Sequence, residues 1–184
     1  FFCLGGRRSI ITIVVPHMIN IGIPSVQASR AFGIIGMMSA VGSILFGLFS
    51  DRFGRKWTIV STTGLLAIAF GVATVIPANI TFLYAWTVLY GLSYGGAPEQ
   101  YAAIITDYFG RHDSTTLFGF ITLAGGIGGG LFPLIGGWIV DQTGNYYATL
   151  LFLAVGMGLG SITAFISKDP NKNNPKNEVV VIHD

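Results

Sequence analysis

A few ionisable residues lie within stretches that are otherwise apolar, and each suggests a kind of chemistry. Arg7 and Arg8 carry guanidinium groups, which can bind a carboxylate through two parallel hydrogen bonds. Glu99 follows Gly-Gly-Ala-Pro and could take up and release a proton beside a cavity. His17 could titrate near neutral pH. These residue types favour binding of an anionic solute and proton exchange.

Each of these residues could also have a simpler, structural role. Arg7 and Arg8 are adjacent and would point about 100° apart on a helix, so only one could face a cavity squarely. Alternatively, both could flank a helix on the cytoplasmic side and only orient it. Arg30 is a third candidate for substrate binding, but it could instead extend to the membrane interface. His17 could be a hydrogen-bonded bystander, and Glu99 a structural carboxyl group bonded to helix ends.

Composition places these residues in a membrane protein. The chain has 184 residues, of which 52% are hydrophobic and 10% are charged, whereas about 25% of a soluble domain is charged. Its 26 glycines show no collagen period and suit close packing of membrane helices. We therefore expect an all-α membrane protein.

Several function classes are disfavoured by the same inventory. A net charge of +2 is too small for a nucleic-acid face. The single Cys3 excludes an internal disulfide, and three histidines far apart in sequence predict neither a metal site nor a cofactor. No pairing of a nucleophile with a base follows a known motif, so we predict that the protein is not an enzyme.

Six apolar stretches are long enough to cross a bilayer core of about 30 Å. They run from 1 to about 19, 26 to 50, 57 to 76, 82 to 106, 115 to 140 and 147 to 167. We expect residues 1–167 to form one bundle, with a first helix that could be truncated. Residues 168–184 form a polar tail that we expect to be disordered and cytoplasmic.

Short connections make neighbouring helices antiparallel, so the loops alternate between the two sides of the membrane. One side would receive Arg52, Arg55, Lys56, Arg111 and the lysines of the tail, and the loops of the other side contain no Lys or Arg. The positive-inside rule places the first side in the cytoplasm of a plasma membrane. Trp57, Trp86, Trp138, Tyr146 and Tyr147 fall near helix ends, as an aromatic belt would.

A pattern recurs after 90 residues. This shift aligns Gly36 with Gly126, Gly47 with Gly137, Asp51 with Asp141 and Gly54 with Gly144. The two copies lie three helices apart, so we predict two three-helix repeats of inverted topology, a build found in many secondary transporters.

The second loop contains the pattern G-x-x-x-D-R-x-G-R-K and resembles the loop signature of the major facilitator superfamily. It consists of Gly47, Asp51, Arg52, Gly54, Arg55 and Lys56. The sequences VPH at 15–17, YGLSYGG at 90–96 and GGG at 128–130 are similar to the monocarboxylate and oxalate/formate branch. The chain starts without Met, and we interpret it as a piece of something longer.

The resemblance implies the C-terminal six-helix half of a twelve-helix transporter. Its partners would be the other six helices, the lipid bilayer and a small organic anion such as a monocarboxylate. The anion would be moved by alternating access, with or without coupling to protons. The loop signature, with Asp107 as a carboxylate partner, would gate the cytoplasmic side. The alternative is a half-bundle that transports nothing and acts as a sensor or assembly partner.

Overall fold

A computed structural model describes residues 5–7, 10–75, 79–96 and 98–167. At residues 10, 11, 98, 99, 102 and 107–113 it describes the backbone alone. Every regular element within these ranges is helical, which confirms the all-α prediction. Arg8, the residues of the turn at 76–78 and the tail from 168 onward lie outside the described residues.

Six α-helices follow a short π-helical turn at Ile10–Val14. They are α1 (Val15–Asn20), α2 (Ser25–Phe53), α3 (Arg55–Ala73), α4 (Ile80–Gly95), α5 (Pro98–Thr143) and α6 (Tyr147–Ile166). Four stretches are long and apolar enough to cross a membrane, namely α2, α3, the part of α5 from Ser114 to Thr143, and α6.

The predicted fourth span is interrupted. We expected one helix over 82–106, but α4 ends at Gly95 and a new helix starts at Pro98. Proline lacks an N–H group and clashes with the carbonyl of the preceding turn, and the two glycines before it favour a helix poorly. Glu99 therefore occupies the second position of a new helix.

The predicted loop between the fourth and fifth spans is helical. Residues 107–113 lie inside α5, so Arg111 is part of a helix and not of a loop. At 1.5 Å per residue the 46 residues of α5 extend about 69 Å, roughly twice the thickness of a bilayer core. Among its described residues, the part from Ser114 to Thr143 is long and apolar enough to cross a membrane.

The helices pack as pairs related by the internal repeat. α2 lies against α4, where Gly95 contacts the backbone of Ser39. The first span lies against α5, where Gly5 contacts the backbone of Gly128. Adding 90 to the residue number takes Gly5 to Gly95, and takes Ser39 to position 129, next to Gly128. The two contacts therefore occupy corresponding places in the two repeats. In the third pair, α3 and α6 correspond to each other.

Hydrogen bonds between helices reinforce this packing. The Trp86 indole donates to the Ala69 carbonyl (2.7 Å), and the Ser161 hydroxyl donates to the Val60 carbonyl (2.9 Å). In lipid, apolar side chains gain little from leaving the solvent, so close packing and such bonds hold the helices together. Trp86 is thus buried and is not part of an aromatic belt, contrary to the prediction.

Two ends of the bundle can be distinguished by their contacts. At one end, the last residues of α1 and α3 meet the connection between α5 and α6. At the other end, the loop between α2 and α3 meets the end of α6, where Trp57 contacts Phe165 with ring centroids 5.8 Å apart. The ends of α1 and α3 and the connection after α5 therefore lie opposite the connection after α2 and the end of α6.

Candidate functional site

Arg7 is a buried cation with an unused hydrogen-bond donor. Its side chain is 7% exposed, and Nη1 has no hydrogen-bond partner among the described residues. The chain forms a 3₁₀ turn at Arg7 and a π-helical turn three residues later. π-helical turns inside helices are frequent at functional sites, because they displace side chains from their regular positions.

An aromatic row on α4 faces Arg7. Trp86, Tyr90 and Tyr94 recur every four residues, with ring centroids 5.2 Å apart in the first pair and 6.0 Å in the second. The Tyr90 hydroxyl donates to the Arg7 carbonyl over 2.9 Å. The Tyr94 ring lies under the guanidinium group, with Arg7 Cζ 4.3 Å from the ring centroid.

Apolar groups surround the other sides of this segment. Beside Arg7, the backbone of Gly5 contacts Phe132 on α5, and Gly6 approaches Met157 on α6. Among the described residues, Nη1 of this buried cation has no hydrogen-bond partner, which is unfavourable in a membrane. Nη1 is covered by protein atoms, so an anion could bind it only once those atoms move apart. We call Arg7, Tyr90 and Tyr94 the arginine site.

The residues of the loop signature lie at one end of the bundle, and the last turn of α1 lies at the other end. Gly54 links α2 and α3 with φ +91°, a conformation that glycine adopts readily. Asp51 and Arg52 are exposed, and Lys56 Nζ lies 5.9 Å from the centroid of the Phe165 ring. Arg55 is half-buried.

Gly47 of the loop signature is not closely approached by another described helix. Apart from its own stretch of helix, no described atom lies within 4 Å of the position that a Cβ atom of Gly47 would take. The tight crossing of α2 occurs five residues earlier, where Gly42 contacts the backbone of Leu92. The Asp107 side chain lies outside the described part, so its pairing with the loop signature stays a prediction.

His17 lies at the other end of the bundle and is 2% exposed. Its Nε2 atom lies 3.2 Å from the Ala73 carbonyl, so Nε2 carries the hydrogen and donates. The ring contacts Tyr146 and Tyr147, with centroids 5.7 and 5.8 Å away. The Nδ1 atom has no hydrogen-bond partner in the described chain.

The remaining candidates are not brought to Arg7 by the described structure. Arg30 is exposed in the second turn of α2. Glu99 is placed by its backbone only, near the amino terminus of α5, and Arg8 lies outside the described residues. Within the described ranges, no group of three or more His, Cys, Asp or Glu residues could hold a metal ion.

Sequence reasoning missed Tyr90 and Tyr94 as parts of a site. Their spacing with Trp86 places all three on one helix face, and this signal was available. It also missed the hydrogen bond from the Ser50 hydroxyl to Gln100 Oε1 (2.6 Å), which joins α2 to the start of α5. Neither residue belongs to a pattern in the sequence.

Four helical stretches of the described chain are long and apolar enough to cross a membrane, which supports a multi-pass membrane protein. The family model described as Major Facilitator Superfamily matches residues 1–181, and the chain belongs to this superfamily.

Three curated relatives differ in what their names say they carry. The chain is 27% identical to Monocarboxylate transporter 12-B of Danio rerio over 90% of this chain and 36% of the relative. It is 28% identical to Niacin transporter NiaP of Acinetobacter baylyi over 66% of this chain and 27% of that protein. It is 30% identical to Multi-drug resistance efflux pump PmrA of Streptococcus pneumoniae over 84% of this chain and 39% of the pump. The chain thus spans between about a quarter and two fifths of these relatives.

Proposed function

We propose that this protein carries a small organic anion, such as a monocarboxylate, across the membrane by alternating access. The observation that carries the proposal is the buried guanidinium group of Arg7, whose Nη1 has no partner among the described residues. A carboxylate is the small anion whose geometry matches a guanidinium group. Two relatives whose names specify a carboxylate or niacin support this choice.

The proposed cycle needs a second bundle. A transporter of this kind binds its solute near the middle of the membrane, between two bundles that rock against each other. Because the chain spans only part of its relatives, we propose that six further helices complete the cavity that Arg7 faces. Arg7 then replaces part of the hydration shell that the anion loses on entry.

We propose that Glu99 couples transport to protons. Its backbone lies next to the interruption between α4 and α5, and interrupted helices commonly contribute to coupling sites in transporters. His17 is the second candidate, because its Nδ1 atom has no hydrogen-bond partner among the described residues. Arg8 and Arg30 remain secondary candidates for anion binding, with Arg30 at the mouth of the bundle.

The loop signature is proposed to act as a gate on the cytoplasmic side of a plasma membrane. Gly47, Asp51, Arg52, Gly54, Arg55 and Lys56 lie at the end of the bundle that the positive-inside rule assigns to the cytoplasm. The guanidinium groups would pair with carboxylates such as that of Asp107 when this side closes, and would release them when it opens.

The test is uptake by cells that express the complete product of the gene. Labelled lactate, nicotinate and nicotinamide are offered with and without an inward pH gradient. We expect uptake of an anion but not of uncharged nicotinamide, with accumulation only under the gradient. Uptake that does not depend on the gradient would contradict proton coupling and leave the proposed substrate class intact. No uptake of either anion, with the protein present in the membrane, would contradict the substrate class and favour a half-bundle that acts as a sensor or assembly partner.

A further inference from the structure

We infer that Tyr94 is a positioning residue that holds the guanidinium group of Arg7 ready for an anion. The inference rests on the proposed function, since it assumes that Arg7 binds the transported anion. Its geometric basis is the placement of Arg7 Cζ 4.3 Å from the centroid of the Tyr94 ring. No charged partner of Arg7 is present in the described part of the chain.

Contact with a ring face holds a cation without occupying its hydrogen-bond donors. The negative face of the π system attracts the guanidinium group, and this attraction is strongest where water is excluded, as around the buried Arg7. A carboxylate in the place of Tyr94 would instead form hydrogen bonds with the guanidinium group and compete with the solute. The Nη1 atom of Arg7 has no hydrogen-bond partner among the described residues, as this arrangement requires.

Tyr94 does not act alone, because its neighbour fixes the backbone of the same arginine. The Tyr90 hydroxyl donates to the Arg7 carbonyl, and the rings of Tyr90 and Tyr94 are stacked at an interplanar angle of 25°. One turn of α4 therefore holds both the main chain and the side chain of Arg7. This arrangement reduces the freedom that Arg7 loses when an anion binds.

A positioning role of Tyr94 can be separated experimentally from a packing role, because its side chain is only half-buried. A residue that merely fills space would change the amount or the melting temperature of the protein when shortened, and leave the KM for the anion unchanged. If Tyr94 positions Arg7, shortening its side chain would raise the KM for the anion. A phenylalanine in its place would preserve KM, because the ring face is retained. Tyr84 is a half-buried tyrosine on the same helix and provides a matched control.

The experiment measures labelled nicotinate and lactate uptake into proteoliposomes that contain the complete purified protein. The variants are Tyr94→Phe, Tyr94→Leu and Tyr84→Leu, together with Arg7→Gln and the double variant Arg7→Gln/Tyr94→Leu. We expect Tyr94→Leu to raise KM about tenfold with little change in maximal rate. Tyr94→Phe and Tyr84→Leu should stay within about twofold of the wild type.

The double variant separates positioning from an independent role. If Tyr94 acts through Arg7, Tyr94→Leu should not raise KM further once Arg7 is glutamine. If Arg7→Gln transports too slowly for this comparison, the inference is tested by the single variants. The KM of Tyr94→Leu is then compared with those of Tyr94→Phe and Tyr84→Leu. An unchanged KM in Tyr94→Leu, a further rise in the double variant, or equal rises in Tyr94→Phe and Tyr94→Leu would overturn the inference.

Failure of the proposed function gives different results. If the wild type takes up neither anion, or if Arg7→Gln transports with the KM of the wild type, the anion-binding role of Arg7 is wrong whatever Tyr94 does. If Arg7→Gln is impaired and Tyr94→Leu is not, only the positioning role is wrong.

Discussion

His17 joins the ends of α1 and α3 through a single hydrogen bond to the Ala73 carbonyl. The variant His17→Ala removes this bond and the ring contacts with Tyr146 and Tyr147. Since a buried carbonyl then loses its partner, we expect a destabilisation of about 1–3 kcal/mol. The measurement is thermal unfolding of the purified protein in detergent.

Thr163→Ala is the control, because the Thr163 hydroxyl is exposed and bonds only within its own helix. We expect its melting temperature to match that of the wild type. If His17→Ala keeps the wild-type melting temperature but loses pH-dependent transport, His17 acts in coupling and the structural account of this residue is wrong.

The charge of Arg7 in an apolar stretch is visible in the sequence, but its surroundings are not. Aromatic residues in membrane helices occur both at interfaces and in the core, and spacing alone does not separate these cases. Trp86 illustrates this, since its place near a helix end predicted a belt residue and the structure buries it. Only the packing of the first span beside α4 shows that Tyr90 and Tyr94 meet Arg7.

At the scale of the elements, the crossing of α2 and α4 depends on glycine. A Cβ atom at Gly42 would collide with the backbone of Leu92, which cannot move without shifting the helix. We expect Gly42→Ala to destabilise the protein by about 1–3 kcal/mol, despite the better helix propensity of alanine. Thermal unfolding in detergent measures the effect.

Gly36→Ala is the matched control on the same helix. Apart from the surrounding turn of its own helix, no described atom lies within 4 Å of the position that a Cβ atom of Gly36 would take. Alanine there should leave stability unchanged or raise it by up to about 1 kcal/mol. Equal melting temperatures for Gly42→Ala and Gly36→Ala would contradict the packing of α2 on α4.

The boundaries of most elements follow from hydropathy and from short polar connections, but two features of the second repeat do not. The break before Pro98 and the helical course of residues 107–113 depend on local backbone preferences that an apolar window averages out. The predicted 82–106 span combined α4 with the start of α5 for this reason. Gly-Gly-Ala-Pro was the available signal for the break.

At the scale of the whole molecule, the alternation of the connections predicts which segments share a side of the membrane. Asn145 lies in the exposed connection between α5 and α6, and Ser167 follows the end of α6. In a background in which all native cysteines, Cys3 included, are replaced by serine, we expect a membrane-impermeant maleimide to label Asn145→Cys on intact cells. Ser167→Cys should react only after the cells are opened.

Labelling of both cysteines from the same side would contradict the alternation of the helices. Labelling of Ser167→Cys alone on intact cells would preserve the alternation and reverse the proposed orientation. The internal repeat was already visible in the sequence as recurring glycines and aspartates, and the contacts of Gly5 and Gly95 follow nearly the same shift of 90 residues.

Transport of an anion through the arginine site is tested most directly with the complete purified protein in proteoliposomes. Labelled nicotinate and nicotinamide share a ring and differ in charge, so together they isolate the contribution of the carboxylate. We predict that the wild type takes up nicotinate and excludes nicotinamide, and that Arg7→Gln lowers the affinity for nicotinate about tenfold or more. Equal uptake of both compounds by the wild type, or unchanged nicotinate affinity in Arg7→Gln, would contradict the account.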